Sequence, residues 1–409
     1  MSNNPNIIER LYPFQKDGVE YALSHHYSIN ACEMGLGKTI QAIAVMVKTG
    51  LKTIVVCPAY LKQNWVDEIK KFSNITNYEI FSYESFTKNS VSPADLIIFD
   101  EAHYLKNMTA KRTKKAHNFI KRSLPEYLLL LSGTPIKNRV TEFYSLLKLV
   151  SYNPKGTSGI PLIKSFGNFA NALCDRETVY LPYGGRIFKY SGLKDRQLLL
   201  KYLKGKYFRR LASEELELPS LVYTAFPYQH VPGGKLNEEL AADFDGNGGH
   251  ISTAKKDMAV HKAPFTAKLV NELLEQGERP VIVFTDHIDS AKLIGEILEK
   301  QKHAVDVITG STCSTSRINL VKNLQEKDNI DVLVCTIGSM STGFTMTKAN
   351  RIIFNDLSWC PADNDQATAR IYRIGQSKTC FVSTVYCPGI DERINKTLQG
   401  KKDTLNEAL

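Results

Sequence analysis

Glu33-Met34-Gly35-Leu36-Gly37-Lys38-Thr39 decides how the rest of the chain is read. Glycines at this spacing let backbone N–H groups turn inward on a polyphosphate. A lysine then neutralises the β and γ oxygens, and a threonine hydroxyl binds Mg²⁺. A helix starting here adds its positive N-terminal end. The usual phosphate-loop spacing is broken at one point, where its first glycine falls at Cys32. Taken alone, Gly-Lys-Thr also reads as an ordinary helix start, so the flanking sequence carries the decision. Downstream, Thr53 to Cys57 is an apolar run stopped by Pro58. Leu96 to Phe99 runs into Asp100, and Leu128 to Leu131 runs into Ser132-Gly133. Short apolar runs separated by helix-length segments predict buried strands of a mostly parallel sheet, each ending in polar residues at its C-terminal edge.

The same pattern returns later. Val281 to Phe284 precedes a helical stretch with Ile288, Ala291, Ile294 and Leu298 on one face, and further strands are expected at Asp331 to Cys335 and Arg351 to Phe354. The chain therefore reads as an α/β protein of two lobes, over 1–150 and 263–388, with the cleft between them as the default site. From 151 to 262 the pattern loosens. Glycine and proline cluster at Asn153 to Gly156 and at Gly184-Gly185, and Asp245 to Gly249 reads as a flexible loop. This stretch is expected to be a largely helical insertion plus a linker. The charged tail, 389–409, is expected to form a C-terminal surface helix.

Two more stretches carry chemistry. Asp100-Glu101-Ala102-His103 follows the apolar run Leu96 to Phe99. A carboxylate at a strand's C-terminal edge holds Mg²⁺, directly or through water, and the glutamate beside it polarises an attacking water. The plainer alternative is a carboxylate pair capping a helix. Gln366 to Gln376 places Arg370 and Arg373 three apart, so that on a helix both guanidinium groups face one way. Paired arginines stabilise charge on a transferring phosphoryl group; a salt-bridged surface helix would look the same.

These residues together resemble the Swi/Snf-type DNA translocases of helicase superfamily two, over nearly the whole chain. Leu11-Tyr12-Pro13-Phe14-Gln15 looks like the adenine-reading Q motif. Val55 to Pro58 with Asn64-Trp65 looks like motif Ia, and Phe81 to Glu84 like the Ib region. Leu105-Lys106-Asn107 follows the acidic box as in the family. Leu131 to Pro135 with Asn138 resembles motif III, and Ile308 to Ser311 with Arg317 the fourth motif region. Thr336 to Thr347 resembles motif V, and the arginine stretch motif VI. The sequence departs from chromatin remodellers around Met340-Ser341 and at Gly343 to Thr347. The stretch Asn171 to Gly192, with Arg209-Arg210-Leu211 after it, looks most like the annealing-helicase (HARP-like) branch, whose members act on forks and junctions.

The resemblance implies two RecA-like parallel-sheet lobes, the P-loop NTPase core of superfamily two, with ATP and Mg²⁺ as cofactors. Gln15, Gly35, Gly37, Lys38, Thr39 and Gly343 would bind nucleotide, and Thr39 and Asp100 the metal. Glu101, Gln366, Arg370 and Arg373 would be catalytic, the arginines arriving when the cleft closes. Lys62, Asn64, Tyr83, Lys106, Ser132, Thr134, Ser311 and Thr336 would contact DNA or couple it to the ATP site. The activity implied is a DNA-dependent ATPase that translocates on double-stranded or branched DNA, as a monomer, and remodels forks or junctions by branch migration or strand annealing. Two alternatives stand beside it: the same motor displacing or recycling a DNA-bound protein, and an ATP-gated DNA-binding module without productive turnover. The resemblance names no protein partner.

Composition agrees with this reading. The 409 residues carry 52 basic and 42 acidic side chains, net +10, a surplus that favours a polyanionic partner. Lys111, Arg112, Lys114, Lys115, Lys121 and Arg122 would reach phosphates or form a solvated helix face. Trp65, Tyr83 and Trp359 are aromatic candidates for DNA contact or for the core. No apolar run approaches the roughly 18 residues of a membrane span, and the first residues lack the pattern of a secretory signal. No two of the eight cysteines are spaced as Cys-x-x-Cys, which predicts buried free thiols in a reducing compartment instead of a zinc site or disulfide frame. The chain is expected to be a motor with little added to it. In a bacterium or an infected cell it would be cytoplasmic and nucleoid-associated, and in a eukaryote nuclear.

Overall fold

Apolar runs of four or five residues, buried on both faces, set the architecture of the computed structural model. It describes residues 7–137, 139–152, 165–180, 184–229, 249–327, 329–340, 344–388, 391, 395 and 398–400. Two compact units form, dividing at Glu215 and Leu216.

The first unit runs α1 (Pro13–His25), β1 (Tyr27–Asn30), α2 (Lys38–Thr49), β2 (Thr53–Cys57), α3 (Lys62–Phe72), β3 (Tyr78–Ser82), α4 (Tyr83–Lys88), β4 (Leu96–Asp100), α5 (Lys111–Ser123), β5 (Tyr127–Leu131), α6 (Phe143–Val150), α7 (Phe166–Leu173), β6 (Asp175–Tyr180), β7 (Arg186–Ser191), α8 (Arg196–Leu203), β8 (Tyr207–Phe208) and α9 (Ala212–Glu215). Its six-stranded sheet has the order β3-β2-β4-β5-β1-β8, with every pairing parallel. Alternate side chains leave opposite faces. Val55, Leu96, Ile98 and Leu129 join Val19, Ile43 and Trp65 in one core layer. Ile54, Ile97, Phe99 and Leu128 join Phe86, Ile120, Phe143 and Leu199 in the other. Helices therefore cover both faces, as a parallel sheet requires.

The second unit runs β9 (Leu221–Pro227), α10 (Gly249–Glu275), β10 (Val281–Thr285), α11 (Ile288–Lys300), β11 (Val305–Ile308), α12 (Ser314–Glu326), β12 (Val332–Thr336), β13 (Arg351–Phe354), α13 (Pro361–Thr368) and β14 (Cys380–Tyr386). Its sheet, β11-β12-β10-β13-β14-β9, is again parallel throughout. On α11, Ala291, Ile294 and Leu298 are fully buried as the periodicity predicts, whereas Ile288 at the helix start is 43% exposed.

The stretch expected to be a helical insertion is mixed in content. Alongside α7 and α8 it holds an antiparallel hairpin, β6 with β7, and two strands that extend the sheets: β8 pairs with β1, and β9 with β14. The clusters at 153–156 and 245–248, and nearly all of the expected C-terminal helix, lie outside the described residues. All eight cysteines are free. Six are buried, but Cys313 is exposed and Cys360 half-buried, so "buried thiol" does not hold for those two. No helix among the described residues is long and apolar enough to cross a membrane.

Candidate nucleotide site

Three neighbouring strands of the first sheet end level. The register pairs Asn30 with Leu131, and Leu131 with Asp100, so β1, β5 and β4 deliver their following loops side by side. In open α/β sheets, ligands bind outside such carboxyl ends. The loop after β1 is Glu33 to Lys38, the turn after β4 begins at Glu101, and the turn after β5 is Ser132 to Thr134.

The first loop is fixed from inside the protein. Gly35 and Gly37 adopt φ of 88° and 73°, which glycine reaches without strain. At Gly37 a Cβ would also fall 2.5 Å from Gln15 Nε2, so the Gln15 amide would have to shift from its place. Gln15 is buried, donates to the Leu36 carbonyl at 3.1 Å, and accepts from Tyr12 N–H at 3.0 Å. Gln41 donates to the same Leu36 carbonyl at 3.2 Å. Asn30 donates to Gln41 Oε1 at 2.7 Å and accepts from Cys32 N–H at 3.1 Å. The residue expected to read an adenine edge is thus placed against the loop from Glu33 to Lys38. Lys38 opens α2 and donates from Nζ to the carbonyls of Cys32 (2.9 Å) and Glu33 (3.2 Å). Glu33 Oε2 in turn accepts from Ala212 N–H, and Glu33 N–H donates to the Arg210 carbonyl, so the residues after β8 brace the loop entrance.

The acidic pair is built with more strain. Glu101 sits at φ 51°, a left-handed backbone that a non-glycine residue adopts at a cost of order 1 kcal/mol or more. Such outliers persist where the surroundings over-determine them. Here Asp100 Oδ1 accepts from Glu101 N–H at 2.9 Å, Oδ2 accepts from Trp65 Nε1 at 2.8 Å, and the Asp100 carbonyl accepts from the Tyr83 hydroxyl at 2.9 Å. Burial, and then the Glu101 charge, push the Asp100 carboxyl up to about 7, against the hydrogen bonds from Trp65 and Glu101 N–H and the Lys38 charge. A buried carboxylate held this reluctantly ionised suits a cation. Glu101 Oε2 lies 3.2 Å from His103 Nδ1, and that nitrogen is 3.4 Å from Ser132 Oγ. Ser132 Oγ accepts from Thr134 N–H at 3.3 Å. A polar chain thus runs from Glu101 through His103 to the turn after β5. That turn touches the loop from Glu33 to Lys38, since a Cβ on Gly133 would lie 2.7 Å from Met34 Cγ and 3.1 Å from Lys38 Nζ.

The raised Asp100 has a measurable consequence. Its ordinary value is 3.8 and its folded value about 7, so between those pH values the folded state holds a proton that the unfolded state has released. Its contribution to stability is therefore full below about pH 4 and declines as pH rises through 7. Asp100→Asn should flatten the unfolding midpoint against pH across this window, by roughly one to a few kcal/mol of relative stability in nucleotide-free protein. Parallel slopes for the two proteins would remove the argument.

Other expected residues fall in different settings. Tyr83 is only 1% exposed, which fits coupling through Asp100 and not contact with DNA. Trp65 is fully buried, and Trp359, over which Lys255 Nζ lies at 5.4 Å, is half-buried. Lys106 donates to Glu142 at 2.8 Å. Lys62 and Asn64 are exposed on the first turn of α3, and α5 presents Lys111, Lys114, Lys121 and Arg122 to solvent. In the second unit, Ser311 and Thr309 share a hydroxyl hydrogen bond of 2.8 Å, while the Thr336 carbonyl accepts from Ser339 Oγ at 2.7 Å. Arg317 joins the two motif regions: it donates to the carbonyls of Thr309, Gly310, Thr312 and Ser339. Gln366 is buried on α13. The paired arginines do not lie on a helix. α13 ends at Thr368, and Arg370 and Arg373 follow in a turn closed by Arg370 N–H to the Ala367 carbonyl and Gln376 N–H to the Arg373 carbonyl. Gln376 holds this turn with five bonds: Nε2 to the carbonyls of Thr347, Ala349 and Ile371, and Oε1 from Ser377 and Lys378 N–H. Asn138 and Gly343 lie outside the described residues.

The sequence motifs do not include Asn30, Gln41 or Asp356, and His103 stands in the acidic box without a role. The first two had a signal, a lone amide in an apolar strand and another on an apolar helix face. Asp356, in the second unit, accepts from Thr285 Oγ1 and Asp286 N–H and lies with Asp286 and His287 in a compact cluster. Lys255 already places its ammonium 2.6 Å from Asp286, which meets that cluster's need for a cation.

Comparison with known proteins adds to this geometry. Residues 14–166 match the SNF2-related domain, in two overlapping segments, and residues 265–375 match the helicase conserved C-terminal domain. The chain is 28% identical to a Caenorhabditis elegans homolog of SWI/SNF-related matrix-associated actin-dependent regulator of chromatin subfamily A-like protein 1, over 99% of this chain and 62% of that protein. It is 27% identical to the mouse DNA annealing helicase and endonuclease ZRANB3, over 97% of this chain and 41% of that protein. It thus spans about half the length of these curated relatives. Among solved structures, the Sulfolobus solfataricus SWI2/SNF2 ATPase core in complex with dsDNA is 22% identical, with a TM-score of 0.42, covering 98% of this chain and 92% of that one.

Proposed function

The chain belongs to the SNF2 family of helicase-type ATPases, and from this premise we propose that it hydrolyses ATP in response to DNA and moves on duplex or branched DNA. The observation that carries the reading is the level ending of β1, β5 and β4, which sets Lys38, Ser132 and the Asp100–Glu101 pair on one sheet edge. Lys38, Gly35, Gly37 and the first N–H groups of α2 would hold the triphosphate, and Thr39 and Asp100 would hold Mg²⁺, which when bound would supply positive charge to the phosphates. Glu101 orients the attacking water and takes its proton, in the strained backbone that aims its carboxylate. His103 reports the state of Glu101 to Ser132 and so to the turn after β5. Arg370 and Arg373 supply positive charge to the transferring phosphoryl group, an assignment that rests on the match of 265–375 to the helicase C-terminal domain.

The likeness to a DNA annealing helicase, together with the resemblance of Asn171 to Gly192 to that branch, supports forks and junctions as the substrate and rewinding or branch migration as the outcome. The test is ATP turnover with no nucleic acid, single-stranded DNA, linear duplex, forked duplex, four-way junction and RNA, at one salt concentration. Stimulation of tenfold or more by forks or junctions above linear duplex is the expected result. Equal stimulation by every duplex would leave a general translocase and point to a DNA-bound protein as cargo. Turnover indifferent to all DNA would overturn the motor reading.

A further inference from the structure

The β6–β7 hairpin has two chemically different faces. Residues directly opposite each other in an antiparallel pair project to the same side. The register pairs Arg176 with Tyr190, Thr178 with Phe188, and Tyr180 with Arg186. One face therefore carries two arginines and three aromatic rings with no acidic residue. The other face pairs Asp175 with Ser191, Glu177 with Lys189, and Val179 with Ile187, and so takes both of the hairpin's acids. A strand alternates its side chains in any sequence. What is particular here is that the alternation sorts charge and aromaticity together.

The basic face is ordered and open. Arg176 Cζ lies 4.8 Å and Arg186 Cζ 5.7 Å from the Phe188 ring centroid, so one ring receives a guanidinium from each strand. The base of the hairpin is fixed: Asn171 Oδ1 accepts from Tyr190 OH at 3.3 Å and from Arg176 Nη1 at 3.5 Å, and Tyr190 meets Phe166 edge to face at 6.2 Å. Yet Tyr180 is 76% exposed and Phe188 42%, although large aromatics are ordinarily buried. That much aromatic surface left in water costs free energy.

We propose that this face binds single-stranded DNA, bases stacking on Phe188 and Tyr180 while Arg176 and Arg186 meet the flanking phosphates. Aromatic rings interleaved with cations are the chemistry of sequence-tolerant single-strand binding, because every base has a π face and every linkage a charge. A duplex offers phosphates but no unstacked base, so the rings give a preference for substrates containing a single strand. The face recognises the unpaired arm of a fork and thereby adds substrate selectivity to a motor that steps on duplex. The inference rests on the DNA-translocase reading above, and the experiment keeps the two separable.

The experiment uses the full chain and three variants: Tyr180→Ala/Phe188→Ala, Arg176→Gln/Arg186→Gln, and Phe188→Trp. Each is measured for anisotropy of a labelled oligothymidine and for ATP turnover with linear duplex and with a fork bearing single-stranded arms. The expected result is roughly tenfold weaker oligothymidine binding per ring removed, a matching loss of fork preference, unchanged turnover on linear duplex, and retained binding in Phe188→Trp. The arginine pair should also lower the salt dependence of binding, by up to one unit of slope per charge. Wild-type binding of oligothymidine in all but the tryptophan variant would overturn the proposal and leave a protein partner for this face. Failure of wild-type turnover to respond to any DNA would count against the motor reading alone, since oligothymidine binding is read without ATP.

Discussion

Glu101→Gln is expected to lower DNA-stimulated ATP turnover by about three orders of magnitude while leaving nucleotide and DNA binding near wild type. The reasoning is geometric. Glutamine has the shape of glutamate, and the left-handed backbone at φ 51° is held from outside the side chain, by Asp100 Oδ1 on its N–H. The fold therefore has no cause to change. The carboxylate's capacity to accept a proton is lost, and a general base is worth about 10² to 10⁴ in rate. Its negative charge beside Asp100 is lost too, which relieves the repulsion that raises Asp100. The variant should therefore hold Mg²⁺-nucleotide at least as well as wild type. Lys38→Ala is the counterpart: it removes the ammonium from the loop and should weaken nucleotide binding itself, so the two variants fail at different steps. Single-turnover hydrolysis and equilibrium binding of a fluorescent nucleotide separate them. Near-normal turnover in purified Glu101→Gln protein would sink the assignment of the base.

Much of this site was legible because its parts are local. A phosphate loop is one short run between a strand and a helix, and the acidic pair is the last residue of an apolar strand plus its neighbour. Each motif is one contiguous run, and the strand endings at Asp100 and Leu131 follow from where apolar runs stop. Non-local features were less legible. Gln15 and Gln41 converge on the Leu36 carbonyl from positions 21 and 5 residues away, and no spacing rule predicts that convergence. β8 has only two residues, and the seven of β9 are mostly exposed, so neither shows the buried apolar run that advertises a strand; they are strands because a sheet edge lies next to them. The arginine turn misled for a different reason. The run from Pro361 to Thr368 is helical, but Gln376 draws the following backbone into a turn through bonds to Thr347 and Ala349, which a local reading of the Arg370–Arg373 spacing cannot anticipate.

Trp65 is where stability and the site meet, and its substitution should show both. The ring is fully buried in the layer formed by Ile43, Leu61, Ile69 and Ile98, and its one polar atom donates to Asp100 Oδ2 at 2.8 Å. Trp65→Ala should cost about 3–5 kcal/mol, the usual loss for emptying a large aromatic site. Trp65→Phe keeps most of the ring and removes the N–H. It should cost less, and its cost should depend on pH. The indole N–H favours the ionised form of Asp100, so its loss is felt most above pH 7, where that form predominates, and least near pH 5, where the carboxyl is protonated. Packing loss has no such dependence. Repeating Trp65→Phe in an Asp100→Asn background closes the cycle, because the amide does not titrate and the pH-dependent part should vanish while the packing part remains. Denaturant midpoints at pH 5 and pH 8 for the four proteins decide it. A Trp65→Phe cost that is equal at both pH values in the native background would mean that the buried indole serves only as core. Asp100 would then owe its alignment to the Glu101 N–H and the charge of Lys38 alone.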